Sequence, residues 1–404
     1  MKEVLIYGGG DNCDALLECG DLRDVRILGI IDRDKAGQTL RGVKMYAPDD
    51  IRSFRYDEIL ITLMDNDAVV EMLIDKYDVD RDRIILPGTI NSQYVLPRMR
   101  ERKNVVLVLG GSYKCYAFAF SKLVHSGDFI VLRLLSCEER HEIEGIYPEE
   151  KLIVFISAHV SKHRRNHTFQ SIKAAYPNST KFLWMCDPCE AEEYGGPALI
   201  REYGGIDNLK KDFDICYTYH HGDAEKYGLT YYPQFFPDVR DRMEYKSEPE
   251  YDLFFIGALK KRKELIYSVY QKASAAGVRC RFLLLYDKEE EKIDEEGIYY
   301  LERPLSYEES LEELLKCRCI LEICDPGDET SFRYSEAVTF GRKLLLNDET
   351  VKQRPYYSVD NIQVFDDADN IDAEWLCSPI PDINYMGDLD TERVFSKEFG
   401  VLKR

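Results

Sequence analysis

Two residues with the chemistry to bind a phosphorylated sugar lie three positions apart in the stretch of residues 325–347. Arg333 can donate two parallel hydrogen bonds to a phosphate, and Glu336 can accept hydrogen bonds from a ribose diol. Their spacing places them on one face of a helix. This helix would begin at Thr330 or Ser331, where free backbone N–H groups can bind an anion. The pattern predicts a nucleotide-diphosphate site or, alternatively, an ion pair on a solvated helix face.

Apolar segments on both sides of this helix predict the strands that position it. Residues 319–323 read as a short buried strand that ends in a Pro/Gly turn, and residues 343–346 read as the following strand. Gly341 lies between the helix and the second strand, where a helix end favours a left-handed residue. The order of strand, helix and strand predicts a parallel α/β sheet.

A second strand and turn, with basic residues, comes earlier in the chain. Residues 251–256 are apolar and lead into Gly257, and Lys260 and Arg262 follow at the start of a predicted helix. A small residue followed by cations at a helix start favours phosphate binding. The alternative is a turn followed by a solvated basic helix.

The N-terminal segment has a comparable turn. Residues 4–7 form a predicted strand that leads into Gly8 and Gly10, and a second strand ends at Asp32. Glycines at the first turn and an acid after the second strand are typical of a nucleotide-binding Rossmann unit. Cys13, however, occupies a position where the dinucleotide fingerprint prefers Gly or Ala. We therefore expect a nucleotide-sugar or no ligand here, rather than NAD.

Two side chains in the middle of the chain are candidates for a general base. Asp187 follows a strand predicted at residues 182–185, and His159 follows one predicted at residues 152–157. The carboxyl edge of a parallel sheet is where ligands bind. Histidine titrates near neutral pH, while a carboxylate serves when the proton leaves late. Asp187 is slightly favoured.

A metal site is not expected. His159, His163 and His167 are four residues apart and would share a helix face, but no acidic residue falls within their run. A solvated basic helix or an acceptor-binding surface explains this cluster better. The Asp-x-Asp spacings in the chain lie away from the predicted donor helix and read as solvated turns.

The donor helix and the strand after it resemble a known family. Arg333, Glu336, Ala337, Gly341 and Asn347 are similar to the pattern R-x-x-E-A…G-K-K-L-I-x-x-N of bacterial capsule and lipopolysaccharide glycosyltransferases of the GT-B type. The resemblance implies that the Glu336 carboxylate binds the ribose of a nucleotide-sugar donor.

The same resemblance implies a set of residues around the donor diphosphate, with no metal and no cofactor. These residues are Gly257, Lys260, Arg262, Ser331 and Arg333. Asp328 lies eight positions before Glu336, where one branch of the family has a further acidic residue.

Residues 1–98 resemble a different group. The segments I-D-R-D, G-V-K-M-Y-A-P-D-D and Y-D-E-I-L-I are similar to the Rossmann-like N-terminal domain of bacterial sugar acyltransferases. The resemblance implies a nucleotide-sugar ligand for this domain, which would use Gly8, Gly10 and Asp32. A packing or oligomerisation domain with an empty turn is the alternative.

The predicted fold class is α/β, with two Rossmann-like halves facing a cleft (GT-B) and a small extra Rossmann-like domain before them. A charged linker is expected at residues 97–103, so that a chain beginning near Glu101 would stay folded. The expected domains are residues 1–98, the acceptor-side half 104–236, the donor half 250–370, and a tail 371–404 whose helix packs back on the transferase.

Composition limits the kinds of partner that the protein can bind and indicates its cellular compartment. The net charge of −20 speaks against nucleic acid, because phosphate binding needs a basic face. No apolar run approaches the ~20 residues of a membrane-spanning helix. Twelve cysteines without a disulfide framework favour a reducing cytoplasm. Peripheral membrane contact and oligomerisation are left open.

The sequence favours a glycosyltransferase that moves a sugar from a nucleotide diphosphate to a glycan or lipid-linked acceptor in bacterial surface polysaccharide synthesis. Two alternatives stay open: an NAD-dependent sugar-nucleotide oxidoreductase or epimerase, and a non-catalytic nucleotide-sugar-binding protein. The identities of the sugar, the nucleotide and the acceptor, and the choice between retention and inversion, do not follow from the residues.

Overall fold

The computed structural model describes residues 1–109, 117–137, 139–156, 168–190, 200–233, 236–243, 248–286, 292–325, 327–330 and 332–399. The chain forms two compact units. The first comprises Met1–Ala117 and Leu123–Tyr217, and the second comprises Phe118–Lys122 and Thr218–Arg404. None of the helices in the described ranges is long and apolar enough to cross a lipid bilayer.

The strands follow the alternating pattern expected from the sequence. In chain order they are β1 (Lys2–Tyr7), β2 (Val25–Ile31), β3 (Thr39–Leu40), β4 (Val43–Tyr46), β5 (Glu58–Ile61), β6 (Ile84–Ile85), β7 (Asn104–Leu109), β8 (Phe129–Leu134), β9 (Leu152–Ile156), β10 (Thr180–Met185), β11 (Ile215–Thr218), β12 (Thr230–Tyr231), β13 (Tyr251–Ala258), β14 (Cys280–Leu285), β15 (Ile298–Tyr300), β16 (Cys317–Glu322), β17 (Lys343–Leu346) and β18 (Ile362–Val364).

Helices separate most of these strands. The α-helices are α1 (Asp11–Cys19), α2 (Asp67–Tyr77), α3 (Pro87–Ile90), α4 (Ser121–His125), α5 (Thr168–Ala175), α6 (Ile206–Lys210), α7 (His221–Tyr227), α8 (Lys263–Ala275), α9 (Tyr307–Leu314), α10 (Phe332–Phe340), α11 (Ala373–Cys377) and α12 (Thr391–Phe399). Short 3-10 or π turns occupy Pro48–Ser53, Arg81–Arg83, Asn91–Val95, Leu96–Glu101, Arg240–Arg242, Lys260–Arg262, Glu349–Gln353 and Ala368–Asn370.

Three parallel-rich sheets confirm the predicted α/β class. The first sheet has the order β3-β4-β2-β1-β5-β6, and its β3 pairs antiparallel with β4. The second sheet contributes five strands to the first unit in the order β11-β10-β9-β7-β8. The third sheet, in the second unit, has the order β15-β14-β13-β16-β17-β18, with each strand parallel to its neighbours.

The third sheet is covered on both faces, because successive side chains of a strand point to opposite sides. Phe254 packs in one apolar cluster with residues of α9 and α10, and Phe255 packs in the other with residues of α8. Such two-sided burial is typical of parallel sheets. The strands predicted at 251–256, 319–323 and 343–346 are confirmed as β13, β16 and β17, and Gly341 has the expected left-handed φ of +59°.

Helix α12 packs within the second unit against residues far away in the sequence. The rings of Phe120 and Phe395 lie 5.3 Å apart. Just before α12, the Asp390 carboxylate lies 3.3 Å from the Lys122 ammonium. Residues 118–122 therefore belong to the second unit through contacts with the end of the chain.

In the first unit, two asparagine side chains pair with the backbone just after β8, the edge strand of the second sheet. The Asn12 amide accepts a hydrogen bond from the Ser136 N–H at 2.9 Å and donates one to the Ser136 carbonyl at 3.0 Å. The Asn91 amide pairs with Leu135 in the same way, at 2.8 and 3.0 Å. These two amides satisfy backbone groups that an edge strand leaves unpaired.

An ion pair also joins β8 to the N-terminal segment, at the interface between α1 and β8. The Arg133 side chain from β8 is 4% exposed and lies 2.7 Å from the Asp14 carboxylate of α1. Burial opposes the charge of Asp14, but hydrogen bonds from Arg41 and Arg133 lower its pKa. Removing one partner of a buried pair leaves an uncompensated charge.

The charged linker expected at residues 97–103 overlaps a short 3-10 turn, Leu96–Glu101, that makes buried contacts. Met99 is fully buried, and its carbonyl accepts a hydrogen bond from the Lys151 ammonium at 2.7 Å. Arg98 donates to the Cys19 carbonyl at 2.9 Å. A chain beginning near Glu101 would also lose Asp14, the ion-pair partner of the buried Arg133, so we expect it to be destabilised rather than to stay folded.

A buried histidine lies at the same interface. The His141 Nε2 atom is 2.9 Å from the Asn91 amide nitrogen and 3.0 Å from the Cys137 thiol, and its Nδ1 atom contacts the Thr168 hydroxyl. Because Asn91 donates to Nε2, the ring is neutral with its proton on Nδ1. Burial lowers the pKa of His141 to about 4.

This histidine should couple the stability of the first unit to pH. A neutral buried imidazole binds fewer protons than the exposed imidazole of the unfolded chain, whose pKa is about 6.5. Its contribution to stability is complete above that value and decreases as the pH falls toward 4, by about 3 kcal/mol in total.

Urea unfolding of the wild type and of His141→Gln between about pH 7 and about pH 4.5 measures this effect. We expect the stability gap between the two proteins to shrink as the pH falls. The exposed His125→Gln serves as the control and should follow the wild type throughout. A gap that does not change with pH would contradict the assignment.

Candidate functional site

The strand order of the third sheet reverses between β13 and β16. Ligands of open α/β sheets bind beyond the carboxyl ends of the strands at such a switch point. Here the turn of residues 259–262 follows β13, and residues 323–330 connect β16 to α10. The first of these segments carries Lys260 and Arg262, and the second leads into the helix of Arg333 and Glu336, all of which the sequence predicts to bind the donor.

Arg262 joins the ends of the two central strands. Its guanidinium donates to the Ile323 carbonyl at 2.8 Å and to the Ala258 carbonyl at 3.1 Å. A Cβ atom at Gly257 would lie 3.2 Å from the Phe255 ring, which is a tight contact, and 3.7 Å from the Arg262 guanidinium. A larger residue would therefore crowd the Phe255 ring beside Arg262. Arg262 therefore positions the turn through its side chain.

Lys260 is the exposed cation of this turn. Its φ of +43° is a left-handed conformation that costs a non-glycine residue roughly 1 kcal/mol. Its ammonium has no hydrogen-bond or ion-pair partner among the described residues. The turn thus holds a free positive charge beside the switch point.

Arg333 and Glu336 form a buried ion pair on α10. The Glu336 side chain is 1% exposed and the Arg333 side chain 21%. One carboxylate oxygen accepts from Arg333 and the other from the Tyr307 hydroxyl. The prediction of a shared helix face is confirmed, and the alternative of a solvated ion pair is wrong, because the carboxylate lies under the Tyr307 and Arg333 side chains.

The Glu336 carboxylate keeps the Arg333 guanidinium charged. Burial opposes the charge of Arg333, but the adjacent Glu336 carboxylate raises its pKa. The Arg333 guanidinium also lies 3.5 Å from the Ile256 carbonyl at the end of β13. Since a guanidinium has five N–H donors, Arg333 retains donors for a ligand beyond those directed at Glu336 and Ile256.

The segment before α10 is held by residues that follow β17. The Asn347 amide exchanges two hydrogen bonds with the backbone of Cys324, at 2.7 and 3.0 Å. The Thr330 N–H donates to the Asp348 carboxylate at 2.8 Å, and the Thr330 hydroxyl contacts Glu322. Thr330 therefore does not offer its N–H to a ligand. Ser331, the other predicted cap, lies outside the described residues.

Asp328 lies in the same loop. Its carboxylate accepts from the Tyr219 hydroxyl at 2.6 Å and from the Glu329 N–H at 2.8 Å. Burial raises its pKa. Among the described residues, no cluster of three or more His, Cys, Asp or Glu side chains has the arrangement of a metal site.

The two predicted general bases belong to the middle of the chain. Asp187 is half-buried and follows the carboxyl end of β10 in the first unit. His159, like His163 and His167, lies outside the described residues. A histidine pair, His220 and His221, was missed by the sequence analysis. It follows the carboxyl end of β11, and this position was the available signal.

The Asp32 carboxylate holds the N-terminal glycine turn at Gly8–Gly10 in place. Gly8 adopts a φ of +102°, and Gly10 precedes α1 with open space around it. The Asp32 carboxylate accepts from the Gly9 N–H at 2.7 Å and from the N–H groups of Asp34 and Lys35 at 2.9 and 3.0 Å. Both Asp32 oxygens thus stabilise the turn itself.

Comparison with known proteins gives weak similarities. Residues 1–85, about a fifth of the chain, match the sequence family described as C2185-like, N-terminal. No curated protein matches the sequence.

The chain is also similar to solved structures, among them the following three. They are an α-glucosyltransferase in complex with UDP and a 13-mer DNA (TM-score 0.44, 10% identity, 74% of this chain and 99% of that chain), a glycosyltransferase of avilamycin A biosynthesis (0.43, 13%, 74% and 94%) and a UDP-forming trehalose-phosphate synthase from Burkholderia vietnamiensis (0.38, 10%, 99% and 94%). These TM-scores are too low to assign an activity to this chain.

The buried pair makes a specific prediction about stability. Glu336→Ala should destabilise the second unit by about 3 kcal/mol, because Arg333 would keep a buried charge without its partner. The Glu336→Ala, Arg333→Met double variant should lose less than the sum of the single losses. Urea unfolding of the three variants measures the coupling.

An exposed pair with the same spacing provides the control. Glu349 and Lys352 are also three residues apart, with side chains 71% and 46% exposed. Glu349→Ala should cost less than about 1 kcal/mol. Equal losses at the two sites would contradict the buried ion pair.

Proposed function

We propose that this chain is a glycosyltransferase that binds a nucleotide-diphosphate sugar beyond the carboxyl ends of β13 and β16. The observation that supports the proposal most directly is the Arg333–Glu336 pair next to the turn that carries Lys260. Cations beside a buried carboxylate suit a ligand with a diphosphate on one side and a ribose diol on the other.

In this proposal each residue has a distinct task. Glu336 accepts a hydrogen bond from a ribose hydroxyl, while Arg333 and Lys260 contact the diphosphate. Arg262 and Gly257 hold the turn in place. As the bond to the sugar breaks, negative charge accumulates on the leaving diphosphate, and these fixed cations stabilise it. The proposed transfer therefore uses no divalent metal and no cofactor.

The finer assignment rests on the resemblance of residues 331–347 to capsule and lipopolysaccharide enzymes. We extend the proposal to a glycan or lipid-linked acceptor in bacterial surface polysaccharide synthesis, in the cytoplasm. Asp187 and His159 are the sequence-based candidates for the base. For the N-terminal turn we propose a nucleotide-sugar or no ligand, since the Asp32 oxygens already accept three backbone hydrogen bonds.

A panel of UDP- and GDP-sugars tests the proposal, with nucleotide release as the readout. Release with at least one donor supports a transferase. Binding by calorimetry without release favours the non-catalytic alternative, and an NAD-dependent absorbance change would favour the oxidoreductase. No binding of any sugar nucleotide contradicts the proposal.

Substitutions of Lys260 should change donor affinity and thermal stability in different ways. Lys260→Ala and Lys260→Gly should each weaken donor binding by roughly 10- to 100-fold, the loss of one charge-assisted hydrogen bond. Lys260→Gly should also raise the thermal midpoint, because glycine relieves the left-handed φ. Calorimetry and thermal unfolding measure the two effects.

The control for this pair is Lys272→Ala. Lys272 is an exposed lysine about 13 Å along α8 from Lys263, at 1.5 Å per residue. Its removal should leave donor affinity unchanged. If all three variants bind the donor equally well, Lys260 does not contact the diphosphate.

A further inference from the structure

We infer that His221 is the proton acceptor of the transfer reaction, oriented by Glu329 and supported by Arg354. This inference rests on the proposed function and adds a catalytic residue that the sequence analysis did not identify. All three residues belong to the second unit, which also carries the candidate donor site.

The position of Glu329 connects this group to the donor site. It lies in the loop after β16, three residues before the start of α10, which carries Arg333 and Glu336. His221 is the first residue of α7. The loop therefore links the proposed diphosphate site to the histidine.

The carboxylate of Glu329 fixes the position and the tautomer of the His221 ring. One oxygen accepts a hydrogen bond from the backbone N–H of His221 at 2.7 Å. The other oxygen lies 2.9 Å from the ring atom Nδ1 of His221. Since a carboxylate only accepts, the ring proton is on Nδ1 and the lone pair is on Nε2. The ring also stacks on Tyr231, with centroids 3.7 Å apart.

The lone pair of His221 is uncommitted. Its Nε2 atom has no hydrogen-bond partner among the described residues, and the side chain is 21% exposed. A carboxylate-bound imidazole with a free Nε2 is the arrangement of a general base.

Glu329 is itself held in the charged form. Its side chain is 3% exposed, and the fully buried Arg354 guanidinium lies 3.3 Å from its Oε2 atom. Burial opposes the charge of Glu329, but the hydrogen bond to His221 and the charge of Arg354 lower its pKa. A charged carboxylate can then stabilise the imidazolium that forms when His221 accepts a proton.

The neighbouring His220 has a different role. Its Nδ1 atom accepts from the Asp223 N–H at 3.1 Å, and its Nε2 atom donates to the Gly327 carbonyl at 3.1 Å. Both ring nitrogens are occupied, so His220 caps α7 and ties it to the loop after β16. The charged and titratable groups around His221 are Glu329, Arg354, Tyr231, His220 and the buried Asp223.

The step balances without any other reactant. The acceptor hydroxyl gives its proton to His221 Nε2 while its oxygen forms a bond to the anomeric carbon. The bond between the anomeric carbon and the diphosphate oxygen breaks, and its electron pair leaves with the diphosphate. The imidazolium, stabilised by Glu329, then releases the proton to solvent.

Kinetics with the most active sugar nucleotide of the UDP- and GDP-sugar panel test the inference. His221→Gln should lower kcat about 100-fold or more, the contribution of a general base, while donor affinity by calorimetry changes less than about twofold. The exposed His125→Gln is the matched control and should keep full turnover. Circular dichroism and thermal unfolding verify that each variant folds.

Glu329→Gln tests the positioning role. It should lower kcat less than His221→Gln and shift the acid limb of the pH profile to lower pH, because a neutral amide no longer stabilises the imidazolium. A purely structural role for Glu329 would change stability without moving the pH profile.

The tautomer can be measured in the wild-type protein without any substrate. Nitrogen-15 NMR of labelled histidine should show His221 protonated at Nδ1 and unprotonated at Nε2 above neutral pH. Assignment uses the signal that disappears in His221→Gln. The opposite tautomer would overturn the inference whatever the variants do.

The outcomes separate the two proposals. If the wild type releases nucleotide and His221→Gln keeps its kcat, the assignment of His221 is wrong and the transferase proposal stands. Loss of turnover in Asp187→Asn with normal turnover in His221→Gln would assign the base to Asp187. If the wild type binds no sugar nucleotide, both proposals fail.

Discussion

The loop after β16 depends on hydrogen bonds from both neighbouring strands, and the candidate site depends on that loop. Arg262 holds the Ile323 carbonyl from the side of β13, while Asn347 and Asp348 hold Cys324 and Thr330 from the side of β17. The backbone beyond the carboxyl end of a buried strand has no neighbouring strand to pair with. Side chains must therefore form hydrogen bonds with its N–H and carbonyl groups. These partners fix where α10 begins, and with it the orientation of the Arg333–Glu336 pair.

The first unit solves a related problem with the same chemistry. Strand β8 lies at the edge of its sheet, and the amides of Asn12 and Asn91 pair with the backbone just beyond it. An asparagine side chain carries one acceptor and two donors, so it can replace a neighbouring strand at a single residue. In both units, amide side chains thus continue a sheet where regular pairing ends. The N-terminal sheet lies within the first unit.

The sequence was sufficient for elements with strong periodicity and insufficient for contacts between distant residues. The long apolar strands, the helix before Gly341 and the shared face of Arg333 and Glu336 follow from local pattern. The two-residue strands β3 and β12 are too short to produce a periodic signal. Glu336 was not expected to be buried, because Tyr307 lies 29 residues away. Likewise, the charges of residues 97–103 suggested a linker, whereas the buried contacts of Met99 come from Lys151. Pairing across such distances depends on the tertiary fold, which local pattern does not encode.

The contact of α12 with residues 118–122 has a consequence for biosynthesis. Phe120 and Lys122 are made early, but Phe395 and Asp390 follow about 270 residues later. At roughly 5–20 residues per second, a ribosome needs on the order of 15 to 50 seconds to complete that interval. During this time Phe120, which is fully buried in the finished protein, lacks the aromatic partner from the last helix. The contact between Phe120 and Phe395 therefore forms only after α12 has been synthesised.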